Sequence, residues 1–234
     1  MKQIIKDALI LFAITLIAGL LLGGVYEITK KPIAEQSRIK KEKAYKAVFE
    51  KYYRLTMSDG ADSEDEKAAN EAEVAEIVAS LSFEPWSDEE LATIKDSFTS
   101  KLKDNTANTL DSVVTAYQGG NELLGYVITV TNGEGYGGDI QISVGVLADG
   151  TVAGVEILSI GETPGLGMNA QNDSFLNKFS GVTTDGFTYT KTGSTRPDEI
   201  DAISSATYTT KSMTNGVNAA LAAYAAIMDK GGAK

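Results

Sequence analysis

Between Ile4 and Tyr26 the only charges are the neighbouring pair Lys6–Asp7, and the stretch "ALILFAITLIAGLLLGGV" that follows is uninterrupted and apolar. A helix over Ile4–Tyr26 is roughly 34 Å long at 1.5 Å per residue, enough for a hydrocarbon core of about 30 Å. A cleaved signal peptide and a buried core helix are the other readings. The run is long for a signal segment, and no clear small-x-small cleavage site precedes "YEITKKP". A retained single membrane span is therefore expected. Lys2 and Lys6 precede it, whereas Lys30, Lys31, Arg38, Lys40, Lys41 and Lys43 follow it. The positive-inside count alone places the C-terminal bulk in the cytoplasm.

The remainder of the 234 residues suffices for one domain with an appendage. A formal net charge of -11 argues against nucleic acid as a partner, because phosphate backbones demand clustered Lys and Arg. There is no Cys, which removes disulfides, thiolate nucleophiles, Cys-ligated metals and an acylated lipoprotein anchor. There is no His either, so a Ser-His-Asp triad is impossible and the commonest metal ligand is missing. No metal site and no catalytic side chain is assigned. Chemistry here must use carboxylates, lysines, tyrosines or a bound organic cofactor.

Along the chain, residues 32–53 are charged and helix-favouring. Ile33, Ile39, Ala44, Ala47 and Val48 form a modest apolar face, and Pro32 marks a kink or restart. The acidic, alanine-rich residues 58–80 read as a solvated loop followed by a short helix. "SDEELATIKDSFTSKL" reads as a capped helix with Leu91, Ile94 and Phe98 on one side. From about residue 112 to 160, β-branched runs separated by turn residues predict an antiparallel meander, with Asp149-Gly150 as a hairpin signal. "FLNKFSG" then predicts a short helix and "GFTYTKTG" a strand. A long C-terminal helix follows, with Met213, Val217, Ala220 or Leu221, and Tyr224 facing inward. Gly216 inside it implies close packing, and Gly231 stops it. The fold class expected is α+β: one N-terminal transmembrane helix, then an antiparallel-sheet domain with packed helices.

Three segments could carry chemistry. "GEGYGG" (133–138) has G-x-G-x-x-G spacing, but a strand follows it, so the dinucleotide fingerprint fails. It is either a hairpin connection or a loop lying against a ligand. "GETPGLG" (161–167) lets backbone approach a planar or anionic group, or simply turns. "IDAISSATYTT" (200–210) packs Ser204, Ser205, Thr207, Tyr208, Thr209 and Thr210 at the mouth of the last helix. Helix N-termini seat phosphates, and Ser and Thr also cap them; both readings stay open. From Asp111 onward the basic residues are Lys178, Lys191, Arg196, Lys211, Lys230 and Lys234. A free nucleotide would find little cationic grip there, whereas a phosphate tethered to a hydroxyl needs none.

"DAISSAT" (201–207) resembles the flavin-attachment motif D-x-x-(S/T)-G-A-T of the FMN-binding domain family. The resemblance implies FMN held covalently on Thr207 through a phosphoester, installed from FAD by a separate Mg²⁺-dependent flavin transferase. Asp201 then serves transferase recognition or activation. Ser205 stands where the motif usually has Gly, a departure that bears on the tight turn. More widely, "VYEITKKPIAE", "GYGGDIQISVGVLADGTVAGVEIL", "ETPGLG" and "FLNKF" make the chain similar to the G-subunit family of Rnf ion-translocating electron-transport complexes, leaving roughly 55–110 uncovered.

That likeness implies a division into an anchor (1–28), a stalk and helical region with an acidic insertion (29–110) and an FMN-binding domain (111–234). It implies an electron-carrying subunit, not catalytic alone, in a complex that couples ferredoxin and NAD⁺ to Na⁺ or H⁺ movement. Its partners would be the other membrane subunits, the flavin transferase and membrane lipid. The soluble domain would lie on the extracytoplasmic face, against the charge count. Besides Thr207 and Asp201, the cofactor-binding residues implied are Ser204, Ser205, Ala206, Tyr136, Gly137, Gly138, Glu162, Thr163, Gly165 and Leu166. The alternatives are the related C subunit of a Na⁺-translocating NADH:quinone reductase and a non-flavin, surface-anchored binding module.

Overall fold

The apolar run lies in helix α1 (Lys2–Ser58), which continues through Pro32 without restarting. In this computed structural model residues 2–58, 63–102 and 107–232 are described. The chain forms two units, residues 1–42 and residues 43–234. In the first, large apolar side chains from Ile4 to Ile28 are exposed all round the helix. It is long and apolar enough to cross a membrane. Thr15 and Thr29 turn their hydroxyls back onto the carbonyls of Leu11 and Val25, which hides their polarity within the helix. Arg38 pairs with Glu35 and Glu42 one turn either way, the spacing that supports a helix beyond a proline.

In the second unit, α2 (Glu64–Ser80) starts earlier than the composition suggests. A reciprocal capping box between Ser63 and Glu66 nucleates helix where the acidic run reads as loop. Residues 59–62 of that expected loop, and Lys234, lie outside the described residues. Strand β1 (Ser82–Pro85) follows, then α3 (Asp88–Lys101), capped by Ser87 and Glu90 as expected. The meander is β2 (Asn108–Gln118), β3 (Glu122–Asn132), β4 (Ile140–Leu147) and β5 (Thr151–Ser159). The turn from β4 to β5 uses Asp149-Gly150, with Gly150 at φ 89° and the Asp149 carboxylate accepting from Thr151 N–H.

A four-residue helix, α4 (Asp173–Leu176), and a single 3₁₀ turn occupy "FLNKF". β6 (Val182–Thr183), β7 (Thr188–Thr190), β8 (Glu199–Asp201) and α5 (Thr207–Asp229) complete the chain. The main sheet runs β1-β2-β3-β4-β5-β6, antiparallel throughout, while β7 and β8 pair in parallel beside it.

Both faces of the sheet are covered. One packs Tyr126, Ile128, Val130, Ile142 and Val144 against α3 and α5, through Ile94, Phe98, Met213, Val217 and Ile227. Gly216 lies where a Cβ would meet Ile142 at 2.9 Å, which is the close packing its place in a helix implies. The other face takes Val48 and Phe49 of α1 against Val114, Ala116, Val127 and Ala153. Gly145 and Gly154 form the seat: a Cβ on Gly154 would run into the Val48 backbone. Two-sided burial explains why β3 and β4 read as continuous apolar runs.

Candidate functional site

The three segments meet at the N-terminus of α5. Thr207 is the first residue of that helix, half-buried, and its N-cap is Ala206, which offers no side-chain hydrogen bond. Ala is among the poorest N-caps, so no side chain caps the first-turn N–H groups, at the end where the helix dipole is positive. The neighbouring hydroxyls divide by task. Thr210 Oγ1 accepts from Ile203 N–H at 3.0 Å and donates to Ala206 O at 3.1 Å, stapling the turn that enters the helix. Thr209 is buried, whereas Ser204, Ser205 and Tyr208 are exposed.

Ser205 has φ 60°, the one non-glycine in the left-handed region among the described residues. That conformation is what a Gly would supply at no steric cost, and it costs an L-residue about 1–2 kcal/mol. Ser205→Gly is therefore expected to raise stability by about 1 kcal/mol, read as a higher denaturant midpoint with unchanged slope. A lower midpoint would show that Ser205 makes a compensating contact.

The loop 133–138, between β3 and β4, is tied down at both ends. Glu134 accepts from Asn215 Nδ2 at 2.7 Å and from Lys211 Nζ at 3.3 Å, both on α5. Behind it, Asn132 is buried, accepts from Ser212 Oγ and donates to Asn108 Oδ1. At the far end Gly137 N–H donates to Glu162 Oε1 at 3.2 Å, joining this loop to the 161–167 turn. Between the anchors Tyr136 is 78% exposed, its ring 6.3 Å from that of Tyr208, itself 69% exposed. Gly138 (φ 125°) sits in open space beyond.

The 161–167 turn closes through Thr163 O, which accepts from Leu166 N–H and Met168 N–H. Gly165 takes φ 76° there, and Leu166 stands out 42% exposed. Gly167 then passes under α5: a Cβ on it would lie 2.5 Å from both Glu162 Oε2 and Thr209 Oγ1.

Asp201, at the end of β8, takes its partners outside these two loops. Its carboxylate accepts from Ser194 N–H and Ser194 Oγ and pairs with Lys178 Nζ at 3.4 Å. The Ser194 N–H above all, then its hydroxyl and Lys178, hold the Asp201 carboxyl below the usual carboxylate range. The nearby cations are engaged: Lys178 with Asp201, Arg196 with Asp198, Lys211 with Glu134. Sequence reasoning missed Glu134, Asn132, Ser212 and Asn215. The one cue was a carboxylate inside a glycine loop.

Residues 135–222 match the FMN-binding domain family and residues 1–48 match the RnfG N-terminal region. The chain is 42% identical over 106 residues to the G subunit of the proton-translocating ferredoxin:NAD(+) oxidoreductase complex of Clostridium ljungdahlii, covering 45% of this chain and 56% of that one. It is 38% identical over 109 residues to the Na(+)-translocating counterpart of Acetobacterium woodii, covering 44% and 50%. Over these stretches the chain is similar to Rnf G subunits. It spans about half the length of these curated relatives. Among solved structures, NqrC of Shewanella oneidensis superposes with a TM-score of 0.46 at 16% identity, over 77% of this chain and 94% of that one.

The site suits the cofactor after which the matching domain is named. An uncapped helix start with a half-buried hydroxyl suits a phosphate ester, and exposed Tyr136, Tyr208 and Leu166 beside it suit a planar ring.

Proposed function

We propose that this chain is a membrane-anchored electron carrier that holds FMN as a phosphoester on Thr207 Oγ1. It would work within an Rnf-type complex that moves electrons between ferredoxin and NAD⁺ and couples them to Na⁺ or H⁺ translocation. The observation that carries the reading is the uncapped first turn of α5 at Thr207, with both glycine loops drawn against it. Attachment requires a bond from Thr207 Oγ1 to the FMN phosphorus of FAD. The pyrophosphate bond breaks, AMP leaves, and the hydroxyl proton passes to the flavin transferase. Because another enzyme makes the bond, this chain needs no histidine or cysteine to activate the hydroxyl.

When bound, the flavin supplies reversible electron uptake and release; the protein positions it. The uncapped N–H groups of the first turn of α5 would hold the phosphate. Tyr136, Tyr208 and Leu166 would bracket the ring, and Ser204, Ser205, Ala206, Gly137, Gly138, Thr163 and Gly165 shape the surrounding backbone. Asp201 orders the residue 194 loop before the attachment turn, which offers the transferase a fixed surface. With the neighbouring cations paired internally, the ester carries the retention that a free phosphate would ask of them.

The decisive measurement is the intact mass of protein from its native host, with peptide mapping. An FMN phosphoester on the peptide containing Thr207 is expected. Unmodified protein there would return the chain to an anchored binding module.

We place residues 43–234 on the extracytoplasmic face because the likeness to Rnf G subunits implies it, against the flanking-charge count, which long exported domains largely override. Protease added to intact cells should remove the bulk of the chain. Digestion only after lysis would reverse the orientation.

A further inference from the structure

Glu162 accounts for several of the glycines in the two loops. A Cβ on Gly135 would lie 3.0 Å from Glu162 Oε1, one on Gly137 3.1 Å from Glu162 Cα, and one on Gly167 2.5 Å from Glu162 Oε2. The carbonyls of Gly138 and Gly161 crowd the first two as well. Gly138 and Gly165 differ: both have positive φ and open space where a side chain would go. Gly135 and Gly167 thus lie against the Glu162 side chain and Gly137 against its backbone, while Gly138 and Gly165 serve the turns.

Glu162 is 6% exposed, and among the described residues no Lys or Arg pairs with it. A buried carboxyl without a cation is costly unless it is hydrogen-bonded. Here it accepts from Gly137 N–H and lies beneath the positive end of α5, beside Thr209. It binds the 133–138 loop through Gly137 N–H, and its Oε2 and Thr209 Oγ1 of α5 both crowd the space that a Cβ on Gly167 would take, which adds to the Glu134 bonds to Lys211 and Asn215 that tie the first loop to α5.

We propose that Glu162 is the positioning residue of this site. Its side chain locks the Tyr136 loop and the Leu166 turn against the first turn of α5, so it sets where Tyr136 and Leu166 stand around Thr207. It does so from beneath, through the backbone, without touching the bound group. The sequence pattern hides this, since a glutamate between glycines reads equally as a ligand contact.

The test compares wild type, Glu162→Gln and Glu162→Ala, each as the full chain in nanodiscs. The first readout needs no cofactor: hydrogen exchange in peptides covering residues 133–138. Glu162→Ala should speed exchange there about tenfold or more, with peptides inside residues 213–227 unchanged. Glu162→Gln keeps an acceptor for Gly137 N–H and should stay within about threefold of wild type. Unchanged exchange in both variants overturns the proposal. So does a Gln variant as fast as Ala, which would assign the effect to charge.

Should Glu162→Ala fail to fold, Gly167→Ala reads the same contact by displacing Glu162 Oε2. It must also speed exchange in 133–138, and its failure to do so overturns the proposal. The second readout rests on the flavin reading: visible circular dichroism of chain co-expressed with a flavin transferase, altered in Ala and restored in Gln. Wild type lacking FMN at Thr207 would defeat the cofactor reading and leave the exchange result to decide this one, so the two failures are distinct.

Discussion

Thr207→Ala, made in cells that supply an active flavin transferase, is expected to yield protein with no in-gel flavin fluorescence and no FMN mass. Wild type should be labelled in full. The loss should be complete because Thr207 is the hydroxyl on the first residue of the uncapped helix, although Ser204, Ser205 and Tyr208 are exposed beside it. The substitution should leave the fold intact, since Thr207 is half-buried at the first helical position and makes no capping bond. Thr209→Ala provides the contrast. Thr209 is 1% exposed beneath Gly167, so its hydroxyl is out of reach of a second enzyme, and its removal should leave labelling intact. A band that survives Thr207→Ala and vanishes in Thr209→Ala would move the site. Wild type that stays dark while a control substrate is labelled would favour the non-flavin module.

Phe49→Ala should cost about 3–5 kcal/mol, a large share of the roughly 5–15 kcal/mol that holds a domain together. Phe49 is fully buried beneath the outer face of the sheet, its ring 6.4 Å from that of Phe83 on β1. Its neighbour Val48 occupies the seat made by Gly145 and Gly154, where helix and strand backbones approach too closely to reform around a smaller side chain. The resulting cavity would stay largely open. Trp86, the single tryptophan, reports the transition: its indole N–H donates to Thr115 Oγ1 at 2.9 Å and its ring meets Tyr126 edge-on. Its emission against denaturant, on the full chain in detergent, should shift the midpoint sharply downward at unchanged slope. A cost under about 1 kcal/mol would mean that this end of α1 is dispensable to the sheet.

Much of the architecture was legible because it is local. Alternating and β-branched runs marked β2 to β5, Asp149-Gly150 marked their last hairpin, and the stripe Met213, Val217, Ala220 or Leu221, and Tyr224 marked the inward face of α5, with Tyr224 half-buried at its edge. β1 escaped notice: "SFEP" is short, contains a proline, and is extended only because it pairs with β2 at the sheet edge. The early start of α2 escaped because Ser63 and Glu66 look like two more polar residues in a polar run.

By itself the sequence determined the apolar span, the absence of histidine and cysteine chemistry, the strand and helix periods, and the place of Thr207 at a helix start. Those follow from neighbours within a few residues of one another. Only the tertiary structure decided that Ser205 takes a left-handed conformation, that Asp201 serves Ser194 and Lys178, and that Glu162 gathers both loops under α5. Glu134 meets Asn215, and Ser212 meets Asn132, across about eighty residues of chain. Sheet register and helix packing set such distances, and no short window of residues contains them.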